Sequence, residues 1–401
     1  MKKKYSLYGL PEKIKFCSKC VMSNQKPNSI VEFRGGSLGN DKKRTGILFS
    51  NNICSACNYS EKKKKIDWKK REKQLKELLS KFRKKNGYDV LVPSSGGKDS
   101  SYTAHVLKYK YNMNPLTVTW APNMFTNIGW NNFNNLSNLG GIDNILYTPN
   151  GILHRKLTKL AFENLMHPFQ PFIVGQKVIG PKIADKFNIP LIMYGENQAE
   201  YGNDIDDNKS SVMSNKFFSI ENVNNIMLGG LKIKDITNQF NFKINEFEPY
   251  IPTPLENIKR KKIQVHYLGY FLRWDPQECF YYSAENTGFR PNTERTQGSY
   301  SKYSSIDDKV DWFHWYTTFI KFGYGRATTD ASQEIRNNKI TRKEGINLVR
   351  KYDSEFPSQY FRDFLDYTSL SEETFFKIVD DHRSPHLWKF TKKKWRLKHQ
   401  I

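Results

Sequence analysis

The stretch Ser94-Ser95-Gly96-Gly97-Lys98-Asp99-Ser100 brings two glycines, hydroxyls, a cation and a carboxylate together. Glycines let a backbone curl close to an anion, while N–H groups at a following helix start and the Ser95 and Ser100 side chains supply donors, which is phosphate-binding chemistry. Lys98 can add a point charge, and Asp99 can help hold a magnesium ion (Mg2+) on the phosphates. The spacing is neither the Gly-x-x-x-x-Gly-Lys-[Ser/Thr] loop nor the Gly-x-Gly-x-x-Gly dinucleotide fingerprint. A second signal is the pair of knuckles Cys17-x-x-Cys20 and Cys54-x-x-Cys57, separated by a segment punctuated with Gly35, Gly36, Gly39 and Asn40. Thiolates at this spacing meet the tetrahedral preference of zinc (Zn2+), and such a closed site serves folding, not chemistry. Cys279 stands alone, as a packing residue.

The elements that must position these residues can be read from periodicity. An apolar run from Tyr88 to Pro93 precedes the loop and a helical segment from about Asp99 to Tyr109 follows it. Leu116 to Trp120, Asn144 to Tyr147 and Pro190 to Tyr194 read as further strands, with a helix over Gly175 to Phe187 between the last two. Strands alternating with helices predict an α/β fold with a doubly wound parallel sheet. Ahead of it, Asp67 is placed to cap a helix carrying Leu75, Leu78, Leu79 and Phe82 on one stripe and closing near Asn86-Gly87. Near the C-terminus, helices are expected over Lys309 to Phe322, Thr341 to Tyr352 and Ser371 to Asp380. The resulting division is an N-terminal zinc module over 1–66, a loop domain over 67–235 and a mainly helical region over 236–401.

The chain has 401 residues, 38% hydrophobic and 14% aromatic, with a mean hydropathy of -0.71. That is enough apolar material for several packed cores. Lys and Arg total 64 against 40 Asp and Glu, and the net +24 attracts polyanions such as nucleotides, acidic sugars or RNA without choosing among them. Residues 1–15 lack the apolar core of a secretory signal, and no apolar run approaches the roughly 20 residues of a membrane span. The expected location is the cytoplasm, where reduced cysteines favour metal over disulfides.

Ser95-Gly96-Gly97-Lys98-Asp99-Ser100 resembles the PP-loop signature of the ATP pyrophosphatases. In that superfamily the loop holds the β and γ phosphates of ATP, a substrate oxygen attacks the α phosphorus, and pyrophosphate leaves. The resemblance implies that Trp120 at a strand end meets the adenine, although Trp120 also suits a core. It also implies that Gly195 and Glu196, within Tyr194-Gly195-Glu196-Asn197, face the reaction centre, although Glu196 also suits a helix start.

Beyond the loop, the chain resembles the N-acetyl sugar amidotransferases of bacterial surface-glycan synthesis, of the WbpG and PseA type. The matching stretches are Phe16 to Cys20, the loop, His167-Pro168-Phe169-Gln170-Pro171-Phe172, Tyr194 to Asn197, Gly298-Ser299-Tyr300-Ser301-Lys302-Tyr303, and Phe322 to Ala327 continuing to Asp330-Ala331-Ser332. The implied activity is ATP-dependent conversion of a sugar acetamido group to an acetamidino group, in lipopolysaccharide O-antigen or flagellar nonulosonic acid synthesis. Among the C-terminal cations Arg290, Arg295, Lys302, Lys309, Lys321 and Arg326, the first choices to clamp an acidic or nucleotide-linked sugar are Lys302 and Arg326, which lie within matching stretches. Asp307 and Asp308 either orient those cations, hold metal or cap the next helix.

Neither familiar glutaminase nucleophile is present: Lys2 follows Met1, and there is no Gly-x-Cys-x-Gly elbow. Ammonia comes from solution or, as the resemblance implies, from a partner glutaminase with a barrel subunit like the pair in histidine biosynthesis. The rival reading is a PP-loop enzyme of the transfer-RNA thiolation or lysidine type. No cysteine lies between Cys57 and Cys279 to carry sulfur, and no RNA-binding module is recognisable, so a nucleic-acid partner is disfavoured.

Overall fold

The computed structural model describes residues 6–28, 46–203, 210–220 and 222–401. The segment Gly35 to Asn40 lies outside them. Five parallel strands form the central sheet, in the order Asp143–Tyr147, Pro115–Trp120, Val90–Pro93, Leu191–Tyr194, Gln264–Tyr267. Register is set by Leu91 opposite Leu116 on one side and Ile192 on the other. The last strand, Gln264–Tyr267, pairs with Leu191–Tyr194, so the sheet continues past residue 235.

Alternation along the strands builds two cores on opposite faces. Leu91, Leu116, Val118 and Ile192 point to one core, with Leu153 and Leu157 from the helix Gly151–Leu165 and Val174 and Val178 from the helix Gln170–Phe187. Val90, Val92, Leu191 and Met193 point to the other, with Ala104 and Leu107 from the helix Lys98–Tyr109 and Leu75 and Leu79 from the helix Trp68–Phe82. Asp67 caps that last helix, its side chain accepting from Lys70 N at 3.0 Å. Helices on both faces of a parallel sheet make the fold doubly wound.

The polarity of the sheet decides where a site can form. From Val90–Pro93 the chain steps outward to Pro115–Trp120 and Asp143–Tyr147, then returns to Leu191–Tyr194 on the opposite side. Strand order thus reverses between Val90–Pro93 and Leu191–Tyr194, and crevices at the carboxyl ends of strands at such a reversal are where open α/β sheets bind ligands. Pro93 leads directly into the glycine loop and Tyr194 into Gly195-Glu196.

The C-terminal region is mainly helical, with Lys309–Phe322, Arg326–Arg336, Arg342–Tyr352, Phe361–Thr368 and Glu372–Asp381, and ends in a hairpin of Trp388–Thr391 and Lys394–Leu397. No described helix is long and apolar enough to cross a membrane.

Candidate active site and thiolate cluster

The loop turns sharply at Gly96, whose φ of +81° is open to glycine and strained for other residues. A side chain there would also collide with the backbone of Phe133, since a Cβ would lie 2.6 Å from Phe133 Cα. The turn is closed by its own hydroxyls. Gly96 N–H donates to Ser94 Oγ at 3.1 Å, Ser94 donates to Ser100 Oγ at 2.9 Å, and Ser100 donates to the Gly97 carbonyl at 3.1 Å. The helix Lys98–Tyr109 then starts from Gly97 with no side-chain cap, so its positive end faces the carboxyl edge of the sheet.

Three cavities of about 450, 300 and 150 Å3 meet at this point, and Asp99 lines all of them. The 300 Å3 cavity runs over the sheet edge between Ser95, Trp120, Gly195 and Glu196. Trp120 forms its floor, 2% exposed, stacked on Tyr147 at 5.3 Å and pressed against the helix Gln170–Phe187 where Gly175 leaves room. The ring is therefore both core and cavity wall. The 450 Å3 cavity joins Lys98, Asp99 and Glu196 to Asp311, Trp315, Arg326 and Asp330 of the C-terminal helices.

Opposite charges organise the junction. Lys98 bonds Asp99 and is nearly buried; burial opposes its charge, but the Asp99 and Glu196 carboxylates outweigh it and raise its pKa. Asp99 keeps a second oxygen, Oδ1, buried with no N–H or hydroxyl donor, while its side chain meets the Glu196 carboxyl. Burial, helped by Asp99, pushes the Glu196 carboxyl up to about 7 against the opposing pull of Lys98 and of the hydroxyl of Tyr201, which donates to it. An orphaned carboxylate oxygen beside a glycine loop fits a hard divalent cation, with Asp99 as the ligand.

Of the two C-terminal cations singled out in the sequence, the structure brings one to the loop. Arg326 lies over the Trp315 ring at 4.8 Å and pairs through Nε with Asp330 at 3.1 Å. Burial disfavours its charge, but Asp330 and Asp311 outweigh burial and raise its pKa. Lys302 points elsewhere: it is exposed and donates to the Thr293 carbonyl at 2.7 Å. Arg295 is held by Glu355 at 2.6 Å, Lys309 by Asp363 at 2.8 Å, and Lys321 donates to the Leu165 carbonyl at 3.1 Å. Asp308 caps the helix Lys309–Phe322, accepting from Val310 N at 2.8 Å, and also accepts from Asn123 N at 2.6 Å. Asp307 instead faces the loop, where Ser95 donates to it.

Asp311, Asp330, Trp315 and Tyr201 were not singled out as site residues. Asp311 is driven up to about 6 by burial against the pull of Arg326. Only Asp330 had a sequence signal, its position four residues after Arg326 on one helix face.

The four cysteines form a separate, closed cluster. Cys17, Cys20, Cys54 and Cys57 are at most 2% exposed, and their sulfurs all lie within 4.8 Å of one another. Cys54 N donates to Cys17 Sγ at 3.3 Å and Met22 N to Cys20 Sγ at 3.5 Å, contacts that favour thiolates. Four convergent sulfurs can hold a zinc ion and leave it no open position. The module is tied to the site by Lys63, whose ammonium reaches Glu200 Oε1 at 2.6 Å and the Trp274 carbonyl at 2.5 Å.

The fold is mixed α/β, with a glycine loop at the switch point of a five-stranded parallel sheet and a separate cluster of four buried cysteines. Residues 297–401 match the family model "LPS biosynthesis protein WbpG-like, C-terminal domain". The matched segment contains Asp307, Asp311, Trp315, Arg326 and Asp330, the whole C-terminal wall just described. No curated protein matches the chain.

Proposed function

We propose that this chain is an ATP-dependent N-acetyl sugar amidotransferase acting in lipopolysaccharide or related surface-glycan synthesis. The observation that carries the reading is the shared cavity, in which Lys98, Asp99 and Glu196 face Arg326 and Asp330 of the WbpG-like segment. A PP-loop role for Ser95 to Ser100 accounts for the uncapped helix start, the positive φ at Gly96 and the orphaned Asp99 oxygen together.

In this mechanism the ATP phosphates lie on the loop, with the adenine toward Trp120 in the 300 Å3 cavity. The acetamido oxygen attacks the α phosphorus; the P–O bond to the β phosphate breaks, pyrophosphate leaves, and an O-adenylyl imidate remains. Magnesium, when bound, neutralises charge on the phosphates. Lys98 and the helix start stabilise the departing pyrophosphate. Ammonia then adds to the imidate carbon, a proton is lost, and the C–O bond breaks to release AMP and the acetamidine. Glu196, poised near neutrality, is suited to take that proton. Arg326 anchors an acidic or nucleotide-linked sugar. Ammonia is supplied by a partner glutaminase with its barrel subunit, or by ammonium in its absence.

The test is incubation with ATP, ammonium and nucleotide-linked N-acetylated sugars. Expected products are AMP, pyrophosphate and a sugar lighter by about one dalton, with labelled acetamido oxygen recovered in AMP, as adenylylation requires. ADP and orthophosphate as the main products, or label missing from AMP, refute the reading.

A further inference from the structure

In the lining of the 450 Å3 cavity, two neighbouring residues have polar atoms without a hydrogen-bond partner. Trp274 is 3% exposed and Asp275 1% exposed, and both line the cavity. Trp274 Nε1 and Asp275 Oδ2 are buried with no hydrogen-bond partner. The rest of each residue is fixed. Trp274 is held by Lys63, which donates to its carbonyl, while Asp275 Oδ1 caps the helix Pro276–Asn286 by accepting from Gln277 N at 2.9 Å. The nearest cation to Oδ2 is Lys339 at 3.5 Å, which also lies 3.9 Å from Glu278. A buried indole N–H and a buried carboxylate oxygen are each costly to leave unmade, so something that both accepts and donates belongs here.

The lining narrows what that is. Seven carboxylates line the cavity against four cations, although the chain as a whole carries +24. Such an interior disfavours a second anion and favours O–H donors, and the aromatic rings of Trp274, Trp315 and Tyr303 lie beside them in the lining. We infer that Trp274 and Asp275 form a hydroxyl-recognition subsite, in which Trp274 Nε1 donates to one hydroxyl of an uncharged pyranose ring and Asp275 Oδ2 accepts from another. The anionic part of the substrate is directed to Arg326, which lines the same cavity. The subsite rests on the proposed sugar amidotransferase function, and it adds the residues that distinguish one sugar from another.

Two conservative variants test it. Trp274→Phe keeps the ring and removes the N–H, while Asp275→Asn keeps the Oδ1 cap and turns the second oxygen into a donor. Binding of nucleotide-linked N-acetylhexosamines, N-acetylhexosaminuronic acids and their deoxy analogues is measured by calorimetry without ATP, and AMP formation is measured separately. Affinity for the hydroxylated sugar is expected to fall about fivefold in Trp274→Phe and at least about tenfold in Asp275→Asn, with the KM for ATP unmoved. One deoxy analogue should lose affinity for the unaltered protein and bind the matching variant equally well. Thermal unfolding at the unaltered temperature shows that the cap and the ring are retained. If the unaltered protein binds a sugar and neither variant weakens it, water satisfies these atoms and the subsite is overturned. Sugar binding that the variants weaken, without AMP formation, keeps the subsite and refutes the amidotransferase chemistry; no sugar binding at all refutes both.

Discussion

Replacing Glu196 by Gln removes a carboxylate that the fold holds at a cost. Its ordinary pKa of 4.5 is raised to about 7, first by burial and then by Asp99. Below the lower value the group is protonated in both folded and unfolded chains, and its contribution is neutral. As pH rises toward about 7 the unfolded chain releases the proton first, so folded stability drains away, and above it the ionised folded form is disfavoured by about 3 kcal/mol. Gln keeps an acceptor for the Tyr201 hydroxyl but carries no charge. Glu196→Gln should therefore be close to neutral near pH 5 and more stable than the unaltered protein by up to about 3 kcal/mol near pH 8, while AMP formation falls. Urea unfolding followed by tryptophan fluorescence, without nucleotide or added magnesium, reads the difference at both values. A variant that gains nothing between them, or is less stable at the higher one, refutes the assignment of Glu196 as a strained, poised carboxyl.

Lys98→Ala and Asp99→Ala should each lower AMP formation about a hundredfold or more with the fold intact, as measured by radiolabelled ATP turnover and circular dichroism; near-normal turnover overturns the loop assignment. The purified chain should contain one zinc by elemental analysis, and Cys54→Ser should lower thermal stability before it alters turnover; protein without metal, prepared free of chelators, contradicts this. Arg326→Ala should raise the KM for the sugar about tenfold or more and Lys302→Ala less than about twofold, the reverse order refuting the placement of the anionic end. Lys63→Met strands Glu200 in an ion pair only 7% and 5% exposed, and should cost about 3–5 kcal/mol in urea unfolding; a loss below about 1 kcal/mol shows the pair to be incidental.

What could be read from the sequence was whatever short-range spacing determines. The cysteine pairs announce themselves because each knuckle is local, and the structure draws their four sulfurs together. The first four strands of the central sheet and the helix Lys309–Phe322 follow from apolar runs and periodicity, and Asp67 from its place before a helix. Gln264–Tyr267 escaped because a four-residue strand bearing Gln and His offers no apolar run, and only pairing with Leu191–Tyr194 makes it a strand. Arg326 was singled out for lying within a stretch that matched the resembled family; so was Lys302, and geometry alone separates them. Asp311, Trp315, Trp274 and Asp275 are ordinary in sequence. Their partnership is created where the C-terminal helices close over the sheet edge, a tertiary event that no local pattern encodes.

The cysteine module is gripped from far along the chain. Arg342 donates to the Cys17 and Cys20 carbonyls, the Tyr8 hydroxyl donates to the His382 carbonyl, and Gln25 meets His386. On the ribosome, therefore, the knuckles emerge first, yet their lasting supports are synthesised more than three hundred residues later. Lys63 waits for Trp274, 211 residues further along the chain. Contacts of such separation fold late because loop closure must precede them. The nascent chain would thus carry an unsupported cysteine head and an open loop crevice for most of its synthesis, and the cavity wall would be completed only with the closing helices.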